Sequence, residues 1–373
     1  MSAIKPFTIN IPQADLDDLQ SRLAHTRYTN ELPDASDDYG VKVGYVKDLV
    51  EYWKNEYDWR AVEAELNKIP QFTTEIDGQK IHFAHVRSSE PNATPILLTH
   101  GWPTTFVEYT GLIDKLTNPV AYGGKAEDAF HVVIPSVPGI GFSGTTNEPG
   151  WNRYRIAKAW KELMHRLDYK QYIAAGNDGG SFVSPEVGRI DEEHVLGVHV
   201  TQIFSFPTGT PGELDALSED ERKMLEIFEW FTTSMNGYEK LQQTKPQNLA
   251  HALADSPAGQ LAWSGQLFGD SVSKEFVITN VMIYWLTNTS ASSARWYYED
   301  AHATEKPTEP TTVPMGLANF GFDFQSIRAF ADRDHKNIIS WNKYTEGGHF
   351  ASEMTPDILV NDMREFAAKL RTL

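Results

Sequence analysis

Cysteine is absent from the 373 residues of this chain. That absence excludes disulfide bridges, catalytic thiols and thiolate metal sites. Positive charge is also scarce, because 33 lysine and arginine residues face 51 aspartate and glutamate residues, which leaves a net charge of -18. Such an excess of negative charge argues against a nucleic-acid partner and against an anionic membrane surface.

Long apolar runs are missing as well. No stretch approaches 18 uninterrupted apolar residues, and the opening MSAIKPFTINIPQADL lacks the basic start and apolar run of a signal peptide. We therefore expect no membrane contact and a cytoplasmic location. Apolar residues still make up 40% of the chain and aromatic residues 12%. That composition suits a packed core, and the length fits one large α/β domain with an insertion or extension.

The first part of the chain divides into an extension and the start of a sheet. Residues 1–70 contain two amphipathic helical patterns, over 12–28 and 41–56, which we interpret as an amino-terminal extension packing on the core and lid. Residues 71–204 open with a hairpin signal at Asp77-Gly78 and then alternate strands with helices. This alternation predicts a mostly parallel sheet with helices on both faces.

The second part interrupts that sheet and then completes it. Residues 205–306 contain no strand pattern and are helical and rich in aromatic residues, so we interpret them as a helical lid. Residues 307–373 return to the alternation and complete the core. The final helix is expected to start with Thr355 as its N-cap and Pro356 in its first turn.

A turn with a carboxylate at its centre follows one of the predicted strands. In QYIAAGNDGGSF (171–182) the apolar run ends in a Gly-x-Asp-x-Gly pattern around Asp178. Serine hydrolases place their nucleophile in the same kind of strand-to-helix turn, as Gly-x-Ser-x-Gly. Gly179 begins the predicted helix, so its backbone N–H would point toward the same spot. The nearby Ser143 lies in a Pro/Gly loop without the final glycine, and we interpret it as structural.

Three further candidates fall at the carboxyl ends of strands, where ligands bind in open α/β sheets. The backbone N–H of Trp102, in HGWP, could supply an oxyanion donor. Asp323 and His349 follow the last two strands. The chain order Asp178, Asp323, His349 is the nucleophile–acid–histidine order of the catalytic triads in enzymes with the Gly-x-Ser-x-Gly turn. Alone, each has an ordinary reading as a turn, a helix cap or a loop histidine. Together, in order, they indicate an active site, and no metal site is predicted.

A carboxylate nucleophile narrows the chemistry. It attacks carbonyl carbon poorly, but it can displace a leaving group at saturated carbon and form an alkyl ester on Asp178. Water activated by His349 would then hydrolyse that ester, with Asp323 orienting the imidazole and the amides of Trp102 and Gly179 holding the oxyanion. The leaving group can be an epoxide oxygen, which needs a proton donor, or a halide, which does not.

The chain resembles the microsomal-type epoxide hydrolases of the α/β-hydrolase superfamily. The likeness covers nearly the whole chain. It rests on HGWP, PSVPGIGFS, the Asp178 elbow, TKPQNLAHALADSPAGQLAW, NVMIYWLTNTSASSARWYYED and EGGHF, in family order. The resemblance implies an α/β-hydrolase fold, conversion of a small apolar epoxide and water to a diol without a cofactor, and a possible homodimer. It also implies that Tyr238 and Tyr297 are the ring-opening acids, since a neutral phenol can protonate the opening epoxide.

Two alternatives stay open. A haloalkane dehalogenase would share the elbow aspartate, although such enzymes use a bulky tryptophan beside the nucleophile and this chain has Gly179. A non-catalytic ligand-binding descendant of the fold is the second alternative, against which the complete set of site residues argues. Gly179 also departs from the bulky residue usual in epoxide hydrolases, so we expect a pocket wall to be missing there.

Overall fold

The computed structural model describes residues 2–33 and 37–373. Within these residues nine strands form one sheet, in the order β1-β2-β3-β5-β4-β6-β7-β8-β9. The strands are β1 (Lys5–Phe7), β2 (Gln71–Ile76), β3 (Gln79–Val86), β4 (Thr94–Thr99), β5 (Phe130–Pro135), β6 (Tyr172–Gly176), β7 (Val195–Val200), β8 (Met315–Phe322) and β9 (Ile338–Gly348). From β5 to β9 all neighbouring strands are parallel, whereas β1, β2 and β3 add antiparallel pairs at one edge.

Helices connect and cover these strands. They are α1 (Gln13–Ala24), α2 (Val43–Asn55), α3 (Trp59–Leu66), α4 (Ile113–Thr117), α5 (Arg153–Arg166), α6 (Gly179–Ile190), α7 (Glu219–Trp230), α8 (Gly237–Thr244), α9 (Pro246–Asp255), α10 (Pro257–Phe268), α11 (Lys274–Leu286), α12 (Ser290–Ala301), α13 (Arg328–Asp334), α14 (Ala351–Met354) and α15 (Pro356–Leu370). Among the helices described, none combines the length and apolarity that a bilayer crossing needs. The α/β fold expected from the alternating pattern is confirmed.

The sheet separates two hydrophobic cores. In β4, Ile96 and Leu98 pack into one core, while Leu97 between them packs into the other. This alternation follows from the two-residue period of a strand, which sends neighbouring side chains to opposite faces. Both faces are therefore apolar, as expected for parallel strands that are covered on both sides by helices.

The amino-terminal residues contribute to the sheet as well as to its cover. β1 pairs with β2 at the sheet edge. Neither β1 nor the short helix α3 was predicted from the sequence. Asn67 fixes this arm, since its side chain accepts a hydrogen bond from the Ile9 N–H and donates one to the Ile9 carbonyl, each at 2.8 Å. Farther along, the indole N–H of Trp53 in α2 donates to Met282 Sδ in α11 at 3.0 Å. The extension thus packs against the helical segment that follows β7.

Helices α7 to α12 lie between β7 and β8 in the chain. Two side chains of α11 anchor this segment to the HGWPTT loop that follows β4. Asn280 Oδ1 accepts a hydrogen bond from the Thr105 N–H at 2.8 Å, and the Tyr284 hydroxyl donates to the Thr104 carbonyl at 2.8 Å. The segment is therefore held over the carboxyl ends of the strands. The domain limits at residues 70, 204 and 306 stay predictions.

The last helix, α15, begins at Pro356, as predicted. Thr355 occupies the N-cap position, but its hydroxyl does not cap the helix and has no hydrogen-bond partner among the described residues. The predicted N-cap position of Thr355 is therefore confirmed, without a capping hydrogen bond from its side chain. A buried pair fastens this helix to the sheet instead, because His199 Nε2 of β7 lies 2.7 Å from Asp362 Oδ1.

Asp362 is fully paired inside the protein. Its second oxygen accepts hydrogen bonds from Asn342 Nδ2 at 2.7 Å and from the Tyr344 hydroxyl at 2.5 Å. Burial raises the pKa of this carboxyl, but the bonds from His199, Tyr344 and Asn342 outweigh burial and hold it below its ordinary value. Its contribution to stability is therefore present at neutral pH and lost as the pH falls through the lowered pKa.

We expect Asp362→Ala to lower the free energy of unfolding at neutral pH by about 3–5 kcal/mol, because it leaves buried polar partners without their carboxylate. Asp357→Ala on the same helix is the matched control. Asp357 pairs with Lys115 at 2.7 Å but is 76% exposed, so its loss should cost less than about 1 kcal/mol. Urea unfolding measures both variants, and equal losses would contradict the role of the buried pair.

Candidate active site

Asp178 lies in a tight backbone turn with a positive φ angle, where neighbouring backbone segments approach closely. It has φ 51° and ψ -117°, between the end of β6 at Gly176 and the start of α6 at Gly179. A Cβ on Gly180 would stand 1.8 Å from the Thr99 carbonyl oxygen, and one on Gly176 would stand 2.5 Å from the Gly180 carbonyl oxygen. The glycines of the Gly-x-Asp-x-Gly pattern are therefore required by the approach of backbone to backbone.

The carboxylate of Asp178 is held by the loop after β4. The Trp102 N–H donates to Asp178 Oδ1 at 2.8 Å. A Cβ on Gly101 would lie 2.1 Å from that oxygen and 2.6 Å from the Gly179 nitrogen. Gly101, the carboxylate and the Gly179 amide thus converge on one small region. The structure thus bonds the Trp102 amide to Oδ1 and places the Gly179 amide in the same region.

His349 and Asp323 lie on the side of the second carboxylate oxygen of Asp178, Oδ2. His349 Nδ1 donates to Asp323 Oδ1 at 2.8 Å, and His349 Nε2 lies 3.6 Å from Asp178 Oδ2. Burial lowers the pKa of His349, but the charges of Asp323, Asp178 and Glu108 outweigh burial and raise it to about 9. At neutral pH the imidazole is therefore a cation among carboxylates.

Two half-buried phenols face the same region. The Tyr238 ring of α8 stacks on the Trp102 indole with centroids 5.5 Å apart, and the Tyr297 ring of α12 meets the indole edge-on at 5.8 Å. The two phenol rings are themselves 6.2 Å apart. Burial, together with the nearby Asp178 charge, raises the pKa of both tyrosines. Both therefore stay protonated at neutral pH and can donate a hydrogen bond.

Comparison with known proteins shows the family to which this chain belongs. A family model described as epoxide hydrolase N terminus matches residues 4–109, and one described as alpha/beta hydrolase fold matches residues 94–247. A Stigmatella aurantiaca protein named "Putative epoxide hydrolase" is 41% identical, over 99% of this chain and 86% of its own length. Epoxide hydrolase 1 of Sus scrofa is 32% identical, over 99% of this chain and 89% of its own.

A solved structure supports the same family. The Aspergillus niger epoxide hydrolase superposes with a TM-score of 0.87 at 30% identity, covering 99% of this chain and 97% of that one. This chain belongs to the epoxide hydrolase family. It is an enzyme with the α/β-hydrolase fold.

In this epoxide hydrolase the residue after the turn has no side chain, yet its space is filled. A Cβ on Gly179 would stand 2.1 Å from Cη2 of Trp296, a buried side chain of α12. The expectation that a wall is missing beside Asp178 was therefore wrong, because an indole from another part of the chain occupies that position. A sequence pattern could not show this, since the two residues are distant along the chain.

Sequence reasoning missed three buried polar residues around the turn. Glu108, in the 3₁₀ helix Phe106–Leu112, accepts a hydrogen bond from Asn177 Nδ2 at 2.9 Å. Burial raises the pKa of this carboxyl to about 7, although bonds from Thr104 and Asn177 oppose the shift. Gln202, just after β7, contacts Asn177 and Asp323. The one available signal was a glutamate in the apolar run FVEY.

Ser143, the serine noted in the sequence, lies outside the site. The Ser143 hydroxyl donates to the Ser136 carbonyl at 2.6 Å and accepts the His82 N–H at 2.9 Å. The Ser143 hydroxyl therefore both donates and accepts a hydrogen bond within the protein, consistent with its structural interpretation.

Within the part of the chain that the structure describes, one group of histidine and aspartate side chains has the geometry of a metal site. The ligand atoms of His165, Asp191 and His194 lie within 4.8 Å of one another. The Lys161 ammonium already lies 3.3 Å from Asp191 Oδ1, and the Tyr172 hydroxyl donates to Oδ2 at 2.8 Å. We therefore interpret the group as an ion pair that ties α5 to the residues before β7, at the opposite end of the sheet.

The contact between Gly179 and Trp296 predicts a coupled pair of substitutions. Gly179→Ala should lower the free energy of unfolding by about 1–3 kcal/mol through overpacking. In a Trp296→Ala background, where the ring is gone, the same change should cost almost nothing. Gly44→Ala is the control, since a Cβ there meets nothing within 4 Å inside α2. Urea unfolding of the four-protein cycle measures the coupling, and additive effects would show that the indole does not fill this space.

Proposed function

We propose that this enzyme opens an epoxide to a vicinal diol through an alkyl ester on Asp178. The observation that carries the proposal is the pair of half-buried, protonated phenols beside Trp102, whose amide binds Asp178 Oδ1. Halide displacement needs no proton donor, whereas an opening epoxide does. The aromatic rings of Trp102, Tyr238, Trp296 and Tyr297 make an apolar epoxide the best-matched substrate.

In the first step Asp178 Oδ2 attacks an epoxide carbon. A bond forms between that oxygen and the carbon as the carbon–oxygen bond of the ring breaks. Tyr238 and Tyr297 donate to the leaving oxygen, which takes a proton and becomes a hydroxyl. Oδ1 keeps its hydrogen bond from Trp102 and becomes the ester carbonyl oxygen. This division of labour follows from the positions of the two oxygens.

In the second step water attacks the ester carbonyl carbon. His349 takes the proton from water, and Asp323 stabilises the imidazolium. The negative charge develops on Oδ1, beside the amides of Trp102 and Gly179. Collapse of this intermediate breaks the bond to the alkyl oxygen, which takes a proton from His349 and leaves as the diol. Asp178 is regenerated as a carboxylate, because the second proton of the attacking water returns to the tyrosine that protonated the epoxide oxygen.

The ester itself prepares His349 for this second step. In the free enzyme the Asp178 charge is one of the influences that raise the pKa of His349 to about 9. Esterification removes that charge, so the pKa of His349 falls and the neutral, basic form becomes more populated. The histidine is thus a cation beside the nucleophile and becomes a base only once the ester exists.

Trapping of the ester tests the proposal. His349→Gln removes the base, so incubation with styrene oxide should add the mass of the whole epoxide to the peptide that contains Asp178. The double variant Asp178→Asn, His349→Gln should take no adduct. An adduct from a bromoalkane alone would favour haloalkane dehalogenase chemistry, and no adduct from either probe would contradict the nucleophile assignment.

The pKa argument gives a separate prediction. Asp178→Asn replaces the carboxylate with a neutral group of the same shape, as esterification does. An NMR titration should place the pKa of His349 near 9 in the unmodified protein and clearly lower in this variant. Asp114→Asn on the surface is the control and should leave the His349 titration unchanged. An unchanged His349 titration in Asp178→Asn would contradict the proposed electrostatic link.

A further inference from the structure

Gln202 stands at the junction of the turn and the acid of the site. It follows β7 and is fully buried. Its Oε1 accepts hydrogen bonds from the Asp178 backbone N–H and from the Ser181 hydroxyl, each at 2.9 Å. A backbone N–H can only donate, so this end of the carboxamide must be the oxygen.

The nitrogen end of Gln202 meets two acceptors. Its Nε2 donates to Asp323 Oδ2 and, at 2.7 Å, to Asn177 Oδ1. A carboxylate can only accept, so the carboxamide cannot rotate by half a turn without placing oxygen against oxygen. One buried side chain therefore holds the backbone of Asp178 with one end and the carboxylate of Asp323 with the other.

This contact completes the binding of Asp323. One carboxylate oxygen accepts from His349 Nδ1 and from the Phe324 N–H, at 2.8 and 2.7 Å, and the other accepts from Gln202. A carboxylate that accepts hydrogen bonds at both oxygens cannot rotate about its Cβ–Cγ bond. Because His349 is oriented by Asp323, the direction of its ring depends on Gln202 as well.

Asn177 extends the same connection to the histidine backbone. Its Oδ1 accepts from Gln202, and its Nδ2 donates to the His349 carbonyl at 2.9 Å. Gln202 therefore reaches His349 by two routes, through Asp323 at the ring and through Asn177 at the main chain. Among the residues that the structure describes, no other side chain bonds to both the Asp178 amide and the Asp323 carboxylate.

We propose that Gln202 is a positioning residue that fixes His349 and Asp323 relative to Asp178 for hydrolysis of the ester. It acts through Asp323 and Asn177. The inference rests on the proposed function, because the ester is the species whose hydrolysis it serves. Ester formation depends on a different end of the same side chain, the oxygen that holds the Asp178 amide.

Two substitutions separate these ends. Gln202→Glu keeps an oxygen for the Asp178 amide but replaces the nitrogen donor with a second oxygen. Gln202→Met removes both ends at similar volume. We expect Gln202→Glu to slow ester hydrolysis roughly 10- to 100-fold, the effect of a misplaced catalytic group, with ester formation nearly unchanged. Gln202→Met should slow both steps. Rapid quenching with styrene oxide, followed by mass spectrometry, measures each step.

The pH dependence adds a readout that simple destabilisation would not produce. At lower pH the introduced carboxyl of Gln202→Glu is protonated and can donate to Asp323, so the hydrolysis defect should shrink. Gln202→Met should show no such recovery. The matched control is Gln260→Glu, another fully buried glutamine, whose Nε2 donates to the Val281 carbonyl at 3.0 Å in the helical segment.

The outcomes are distinct. Accumulation of ester in Gln202→Glu, relieved at lower pH and absent from Gln260→Glu, supports the inference. Equal slowing of both steps in Gln202→Glu, or the same defect in Gln260→Glu, overturns it while leaving the proposed function intact. If Gln202→Glu does not fold, Gln202→Met decides, and unchanged hydrolysis in that variant overturns the inference. Absence of diol from the unmodified protein and of ester from His349→Gln overturns the proposed function and this inference together.

Discussion

The close approach of three backbone segments at Asp178 is the constraint on which the site depends. A non-glycine residue at φ 51° is strained by roughly 1–3 kcal/mol, and it persists only because its surroundings allow no other path. Gly176 and Gly180 let the turn pack against Thr99, and Gly101 lets the next loop reach the carboxylate. A side chain at any of these glycines would move the Asp178 carboxylate away from the Trp102 amide.

The second determinant is the distribution of charge around His349. Asp178, Asp323 and Glu108 all act on it, and together they raise the pKa of His349 to about 9 despite burial. Only one of these carboxylates is consumed in the proposed cycle. Ester formation at Asp178 therefore changes the protonation of the base without any movement of the chain. The reaction itself would signal when the base is required.

Local patterns in the sequence predicted much of this molecule, whereas contacts distant along the chain were missed. Alternation of strands with helices, the Asp77-Gly78 hairpin and the Gly-x-Asp-x-Gly turn are local signals, and each corresponds to an observed element. β1 is only three residues long, too short for a period to show. Gln202 carries no motif at all, since its partners come from two segments that are distant from it along the chain, residues 177–181 and Asp323.

The glycine that follows Asp178 shows how such distant contacts shape the enzyme. Gly179 leaves room that Trp296 fills from α12, so the wall of the site belongs to the helical segment and not to the turn. Trp296 precedes Tyr297, whose ring contacts Trp102 and Tyr238. A shift of α12 that enlarged the space beside Asp178 would therefore also displace a proposed ring-opening acid. In the proposed mechanism substrate shape and proton donation are therefore coupled, because one helix supplies both Trp296 and Tyr297.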